Sequence, residues 1–249
     1  MALSISVGRT TGMDIRERGR SDDGQAIFLD DRLYMQLLAF TECRDPSILV
    51  KTLSTSGIAG ALYANLNDPN GIAILTMSRD PDTFLTTVRS LVQSPPFAEL
   101  VPQPHYTMFG RTYAIGYESD LEEVLLHRPH RYICNTDWPW CIWYPLRRSG
   151  AFEQLTSEER RVILMEHGGI GAAFGRADHA HDIRLACHGL DSGDNDFVVG
   201  LLGKALYPLS AIIQRMRGTR QTSEYLDRIG PFFVGKALWQ SHMPETSAT

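Results

Sequence analysis

Ile58-Ala59-Gly60-Ala61-Leu62-Tyr63-Ala64-Asn65-Leu66 and Ile72-Ala73-Ile74-Leu75-Thr76-Met77-Ser78 are two apolar runs joined by Asn67-Asp68-Pro69-Asn70-Gly71. The connecting residues are all turn formers, so the pair reads as a β-hairpin. That reading decides the fold. A doubly wound parallel sheet needs a helix after almost every strand, and a hairpin denies it. Working outward, Tyr34 to Phe40 reads as a strand and Pro46 to Leu53 as a short helix. Beyond the hairpin, Asp80 to Val92 has amphipathic helical spacing and stops near Pro95-Pro96, and Tyr106 to Tyr117 reads as a strand. The order is β-α-β-β-α-β.

The same order recurs downstream. Cys141 to Leu146 reads as a strand, and Thr156 to His167 as a helix opened by the capping box Thr156-Ser157-Glu158-Glu159 and closed by Gly168-Gly169. Ile183 to Cys187 and Phe197 to Leu202 read as strands around Gly189-Leu190-Asp191-Ser192-Gly193. Leu209 to Tyr225 reads as one long helix carrying Ile212, Ile213 and Met216, and Phe232 to Leu238 as a closing strand. Each unit has the ferredoxin-like order, an antiparallel sheet with helices on one face. The expected fold is therefore α+β, two ferredoxin-like halves in tandem. The division is a poorly ordered polar leader (1–31), an N-terminal half (32–120), a connecting segment (121–140), a C-terminal half (141–240) and a tail (241–249).

The chain has 249 residues, 24 Lys and Arg against 29 Asp and Glu, and a net charge of −5. Hydrophobic residues make up 43% and charged ones 21%, the balance of a folded chain able to bury a large core. The acidic balance argues against non-specific nucleic-acid binding and against an anionic membrane surface. Met1 to Gly12 lacks the basic start and apolar run of a secretory signal, and Phe197 to Ile213 is broken by Lys204 and Pro208, so no membrane span is expected. Cys43, Cys134, Cys141 and Cys187 are widely spaced, which suits free thiols and a cytoplasmic protein. A small molecule or another protein is the expected partner.

Several residues could carry chemistry. His167 is expected in the last turn of its helix, where the dipole favours histidine; a metal or haem ligand is the alternative reading. Trp138-Pro139-Trp140-Cys141-Ile142-Trp143-Tyr144-Pro145-Leu146-Arg147-Arg148 reads as a packed aromatic strand. Its Tyr could present a redox-active phenol, and its adjacent arginines could bind carboxylates through paired N–H donors. His127-Arg128-Pro129-His130-Arg131 reads as a basic linker that could hold a proton acceptor, and His179 and His181 as surface histidines. No phosphate-binding glycine loop or nucleophile elbow occurs.

Tyr144-Pro145-Leu146-Arg147-Arg148-Ser149-Gly150-Ala151-Phe152, Ser157-Glu158-Glu159-Arg160-Arg161, Glu166-His167-Gly168, Gly189-Leu190-Asp191, Met216-Arg217 and Pro231-Phe232-Phe233-Val234-Gly235 occur in that order. In order and spacing, from about Leu33 to Leu238, the chain resembles the chlorite dismutase superfamily, and within it the coproheme decarboxylases of the actinobacterial branch. The resemblance implies a dimeric α+β barrel of two ferredoxin-like halves and a homo-oligomeric ring, commonly a pentamer. It makes His167 the proximal ligand of a porphyrin iron, Tyr144 the tyrosine whose radical starts oxidation of the propionates, and His127 the distal base that activates peroxide. It places Arg148 and Arg217 near the propionates and Glu224 as a carboxylate bonded to the proximal histidine. The implied reaction is hydrogen-peroxide-dependent decarboxylation of iron-coproporphyrin III (coproheme), through harderoheme, to haem b. The alternatives are a divergent haem enzyme of the same family (a peroxidase, a chlorite-degrading enzyme or a pathway oxidase) and a non-catalytic haem-binding ferredoxin-like module. Two positions depart from the family. Phe152 stands where a Trp is usual, and Ala180 where chlorite-degrading members carry a distal Arg, which leaves Asp182 or Arg184 as distal occupants.

Overall fold

A computed structural model of the chain describes residues 13–242; the start of the expected leader (1–12) and most of the expected tail (243–249) lie outside the described residues. Within the remaining leader, β1 (Glu17–Arg20) and β2 (Ala26–Leu29) pair antiparallel, so this stretch is a hairpin rather than an unstructured segment. Composition alone missed what ties it down. The Glu17 carboxylate accepts from Arg111 at 2.7 Å and from the Ala114 N–H at 2.9 Å, and the Arg20 N–H donates to the Glu118 carbonyl at 2.9 Å.

The first half follows as β3 (Tyr34–Thr41), α1 (Pro46–Ser54), β4 (Gly60–Asn65), β5 (Ile72–Ser78), a π-helical turn over Phe84–Val88 running into α2 (Arg89–Val92), a short β6 (Val101–Pro102) and β7 (Met108–Thr112). Helix α1 starts where Asp45 accepts from the Ser47 N–H at 2.9 Å and Pro46 fills the first turn. The connecting segment is helical over 121–133, with a π turn at Glu123–His127 before α3 (Arg128–Ile133). The sequence reading makes this a solvated basic linker. The Arg128 N–H reaches back five residues to the Glu123 carbonyl, so the chain takes a wider turn just before Pro129, and Leu125 and Ile133 are buried.

The second half is β8 (Trp140–Arg148), α4 (Gly150–Glu153), α5 (Ser157–Arg176), β9 (His181–Ala186), β10 (Phe197–Gly203), α6 (Leu206–Arg217), α7 (Arg220–Tyr225), β11 (Leu226–Ile229) and β12 (Phe233–Gln240). Two helices differ from the sequence reading. The capping box is present, but α5 runs on through Gly168 and Gly169 to Arg176, because neither glycine adopts positive φ and Phe174 is buried beneath the extra turns. Glycine costs a helix about 1 kcal/mol, which packing overrides. The helix read as Leu209 to Tyr225 breaks instead at Gly218-Thr219, where Thr219 is extended (φ −76°, ψ 152°).

The strands lie in the orders β7-β3-β5-β4 and β12-β8-β10-β9, the same ferredoxin-like arrangement twice. Antiparallel pairing of β4 with β12 and of β7 with β9 joins both edges and closes an eight-stranded barrel. Its interior holds Met35, Leu37, Tyr63, Leu75, Trp143 and Phe233. Outside, α1 and α2 cover one half through Leu49, Leu53 and Val92, and α5 and α6 cover the other through Phe174, Leu209 and Ile212. Among the described residues no helix is long and apolar enough to cross a membrane.

Trp143 lies directly opposite Gly200 on β10, and a Cβ at that glycine would enter the indole ring. Gly200→Ala is therefore expected to destabilise the fold by about 1–3 kcal/mol. Gly168→Ala, where a Cβ meets nothing within 4 Å, is expected to be neutral or to stabilise by up to about 1 kcal/mol. Urea midpoints of the two variants check both signs.

Candidate functional site

Successive residues of β8 point to opposite sides, so Trp143 enters the barrel while Ile142, Tyr144, Leu146 and Arg148 face the helix layer. Strand register carries that face outward. Val199 lies opposite Tyr144, and Arg184 opposite Val199; Leu201 lies opposite Ile142, and Asp182 opposite Leu201. Asp182 and Arg184, paired at 3.0 Å, therefore share the sheet face of Tyr144 and Arg148.

Helix α5 lies over this face and supplies His167 from its middle rather than its last turn, so the dipole explanation for this histidine falls away. The imidazole is half-buried, and its Nδ1 lies 3.1 Å from Thr219 Oγ1, at the break between α6 and α7. Burial lowers its pKa below 6.5, and the nearby Arg148 and Arg184 charges act in the same direction against Asp182 and Glu166. Tyr144 is 5% exposed, stacks on Phe232 at 4.7 Å between ring centres, and its hydroxyl has no hydrogen-bond partner among the described residues. Burial pushes this phenol well above its ordinary pKa; the Asp182 charge adds to the rise and the Arg217 charge opposes it. Arg148 sits between the rings of Phe152 and Phe197, 4.5 and 4.7 Å from their centres. Its Nε is buried with no hydrogen-bond partner among the described residues, and burial lowers its pKa.

His167, Tyr144, Arg148 and Arg217 are thus brought together; other expected members are not. Glu224 does not reach His167 but accepts from Arg220 Nε at 3.2 Å, and Thr219 takes the position at the imidazole. His127 is exposed on the π turn of the connecting helix. That helix instead brings Val124, Arg128 and Pro129 to a cleft shared with Tyr113, Asp182 and Arg184, about 20 Å³ in volume, room for roughly one water. Arg147 does not act beside Arg148: alternation turns it outward to pair with Asp194. Ala180 is buried in the helix-side core, and Phe152, in place of the expected Trp, packs beneath Arg148. His181 Nε2 donates to the Asp178 carboxylate at 2.8 Å and the ring stacks on Trp138, and among the described residues no cluster of His, Cys, Asp and Glu could hold a metal ion.

Sequence reasoning missed Thr219 and Tyr113, and took Arg128 only as part of a basic linker. For Thr219 a signal existed, since Gly218-Thr219 is a helix stop followed by a capping residue. All four cysteines are free thiols. Burial raises the pKa of each, that of Cys187 to about 12.

The donor set suits an iron porphyrin. A half-buried imidazole with Nδ1 already bonded keeps Nε2 for a metal. The buried, unpartnered Arg148 Nε and the Arg217 guanidinium, which forms no ion pair among the described residues, suit propionate carboxylates. Gly168 and Gly169, beside His167, leave open space where side chains would otherwise stand.

A closed α+β barrel of two ferredoxin-like halves, with a histidine-bearing helix over one outer face, defines a class of fold that the comparisons resolve. The chlorite dismutase family model matches residues 51–238, and the chain belongs to that family. Among solved structures, a haem-binding protein from Thermus thermophilus is 19% identical with a TM-score of 0.64, covering 85% of this chain and 92% of its own. Chlorite dismutase from Candidatus Nitrospira defluvii, in complex with imidazole, is 14% identical with a TM-score of 0.65, covering 84% of this chain and 92% of its own. No curated protein sequence matches the chain.

The electrostatics give a signed expectation. With the folded pKa of His167 below 6.5, the unfolded chain binds this proton first, so the imidazole removes stability as pH falls through 6.5 and stops doing so below its folded pKa. Arg148→Met removes a cation that lowers this pKa, so the His167 titration should move up in NMR; a midpoint that stays put or falls contradicts the arrangement.

Proposed function

We propose that this protein is a peroxide-dependent coproheme decarboxylase. The observation that supports this reading best is the convergence of His167, Tyr144, Arg148 and Arg217 on one outer face of the second half. The family match and the likeness to a solved haem-binding protein support an iron porphyrin as the ligand of that face. His167 would hold the iron through Nε2, and Arg148 and Arg217 would hold propionates. When bound, the iron porphyrin supplies the activation of hydrogen peroxide.

The chain's own groups then position and transfer. Each propionate loses CO2 to leave a vinyl group: the propionate, one peroxide and one proton give the vinyl side chain, CO2 and two waters. Tyr144 is a buried phenol held protonated by its surroundings, so it gives up a hydrogen atom rather than a bare proton and recovers one from the substrate side chain. The Arg forks keep the carboxylate next to it. To admit a macrocycle, α5 would have to shift from the sheet, and it is lightly held: only Ile163 and Phe174 of its residues are buried, while Val162 and Met165 are 52% and 62% exposed. We place the reaction in the cytoplasm, in a homo-oligomer, with His127 reaching the porphyrin only if the connecting helix moves.

One observation favours a second reading, a divergent haem enzyme that degrades chlorite or acts as a peroxidase. Arg184 lies on the same sheet face as Tyr144, one residue pair away across β10, where a cation would meet an oxyanion.

Purified protein given Fe-coproporphyrin III and peroxide is expected to yield porphyrin lighter by two carboxyl groups in mass spectrometry. Bound but unchanged porphyrin would refute the decarboxylase, and chlorite consumption lost in Arg184→Ala would establish the second reading. Tyr144→Phe should bind porphyrin yet stop turnover, and His167→Ala should alter the visible spectrum of the bound pigment; an active Tyr144→Phe enzyme contradicts the hydrogen-atom role.

A further inference from the structure

Thr219 is 2% exposed and sits in the break between α6 and α7, and its hydroxyl has three neighbours. Oγ1 lies 2.7 Å from the Met216 carbonyl oxygen, 3.1 Å from His167 Nδ1 and 3.4 Å from Thr222 Oγ1. A carbonyl oxygen can only accept, and a hydroxyl has one proton, so the shortest of these contacts consumes it. Oγ1 therefore meets His167 as an acceptor, and Nδ1 must carry the proton. We infer that Thr219 is a positioning residue that fixes His167 as its Nδ1–H tautomer, with Nε2 bare, and that it does so as a neutral acceptor.

The second half of this inference distinguishes the chain from one that uses a carboxylate here. An acidic acceptor draws the Nδ1 proton towards itself and makes the imidazole a stronger electron donor to a metal on Nε2. A hydroxyl whose own proton is committed to Met216 does so far less. The acids around it are engaged elsewhere: Asp182 pairs with Arg184 at 3.0 Å, Glu166 accepts from the Arg220 N–H at 3.1 Å and Glu224 from the Arg220 side chain, and none of them bonds to the ring. The Gly218-Thr219 break is what makes the geometry possible, since one continuous helix from Leu206 to Tyr225 would put residue 219 in regular helical conformation rather than extended. The metal-dependent part rests on His167 being the iron ligand; the tautomer does not.

The tautomer is read directly in the metal-free protein. Nitrogen-15 NMR of the wild type, above the His167 titration, should show the proton on Nδ1; a proton on Nε2 overturns the inference without any variant. Thr219→Val keeps the volume and removes the acceptor, so His167 should lose the single Nδ1–H form, and Thr219→Ser should restore it. In the haem-loaded protein, Thr219→Val should weaken porphyrin binding by about tenfold. Thr219→Glu should lower the iron midpoint potential and raise the iron–histidine stretching frequency in the ferrous state. Unchanged tautomer and potential across Val, Ser and Glu would refute the role of Thr219. An unchanged visible spectrum in His167→Ala would instead refute iron ligation and leave the tautomer standing.

Discussion

Strand β8 serves two cores at once, and the molecule is organised around that division. Side chains leave a strand on alternate sides, so neighbours in sequence end up in different environments. Trp143 fills the barrel against Gly200, and one residue later Tyr144 faces α5 and α6. The same alternation separates Arg147, which pairs with Asp194 at the surface, from Arg148, which lies between two aromatic rings. A one-residue slip of β8 would exchange every one of these roles, and its pairing with β10 on one side and β12 on the other fixes the register.

The two halves share a topology but not a chemistry. On the outer face of the first, Phe40, Leu62, Ile72 and Ile74 meet Leu49, Leu53 and Phe97, an apolar layer throughout. The equivalent face of the second carries Tyr144, Arg148, Asp182 and Arg184 beneath a histidine. Duplication thus supplies a closed barrel, while one copy keeps its helix layer for stability and the other gives part of that layer to polar groups. The burial this forgoes is visible in α5, whose long helix buries few side chains.

Much of this was legible in the chain. The Asn67-Asp68-Pro69-Asn70-Gly71 turn and the repeated strand and helix order announced both halves, and Thr156 with Glu159 announced the start of α5. What local pattern could not show was set by tertiary contacts. Pairing of β4 with β12 and β7 with β9 leaves no mark within either strand. The helix ends at Gly168-Gly169 were misplaced because glycine permits a left-handed stop without requiring one, and packing of Phe174 carried α5 onward. Pro129 hid a helix because a π turn before it absorbs the disruption. His167, Tyr144 and Arg148 were singled out through motif order, and the fold brings them to one face. Thr219 escaped because its role depends on which atom its single proton goes to, a matter of geometry that composition does not encode.

The cysteines bear on durability. A thiol reacts with oxidants through its thiolate, so a high pKa together with burial makes it slow. Cys141 and Cys187 are fully enclosed, and burial keeps all four thiols protonated at neutral pH. The fold thus keeps its thiols where an oxidant meets little thiolate, so their chemistry is slow whatever oxidant the protein encounters.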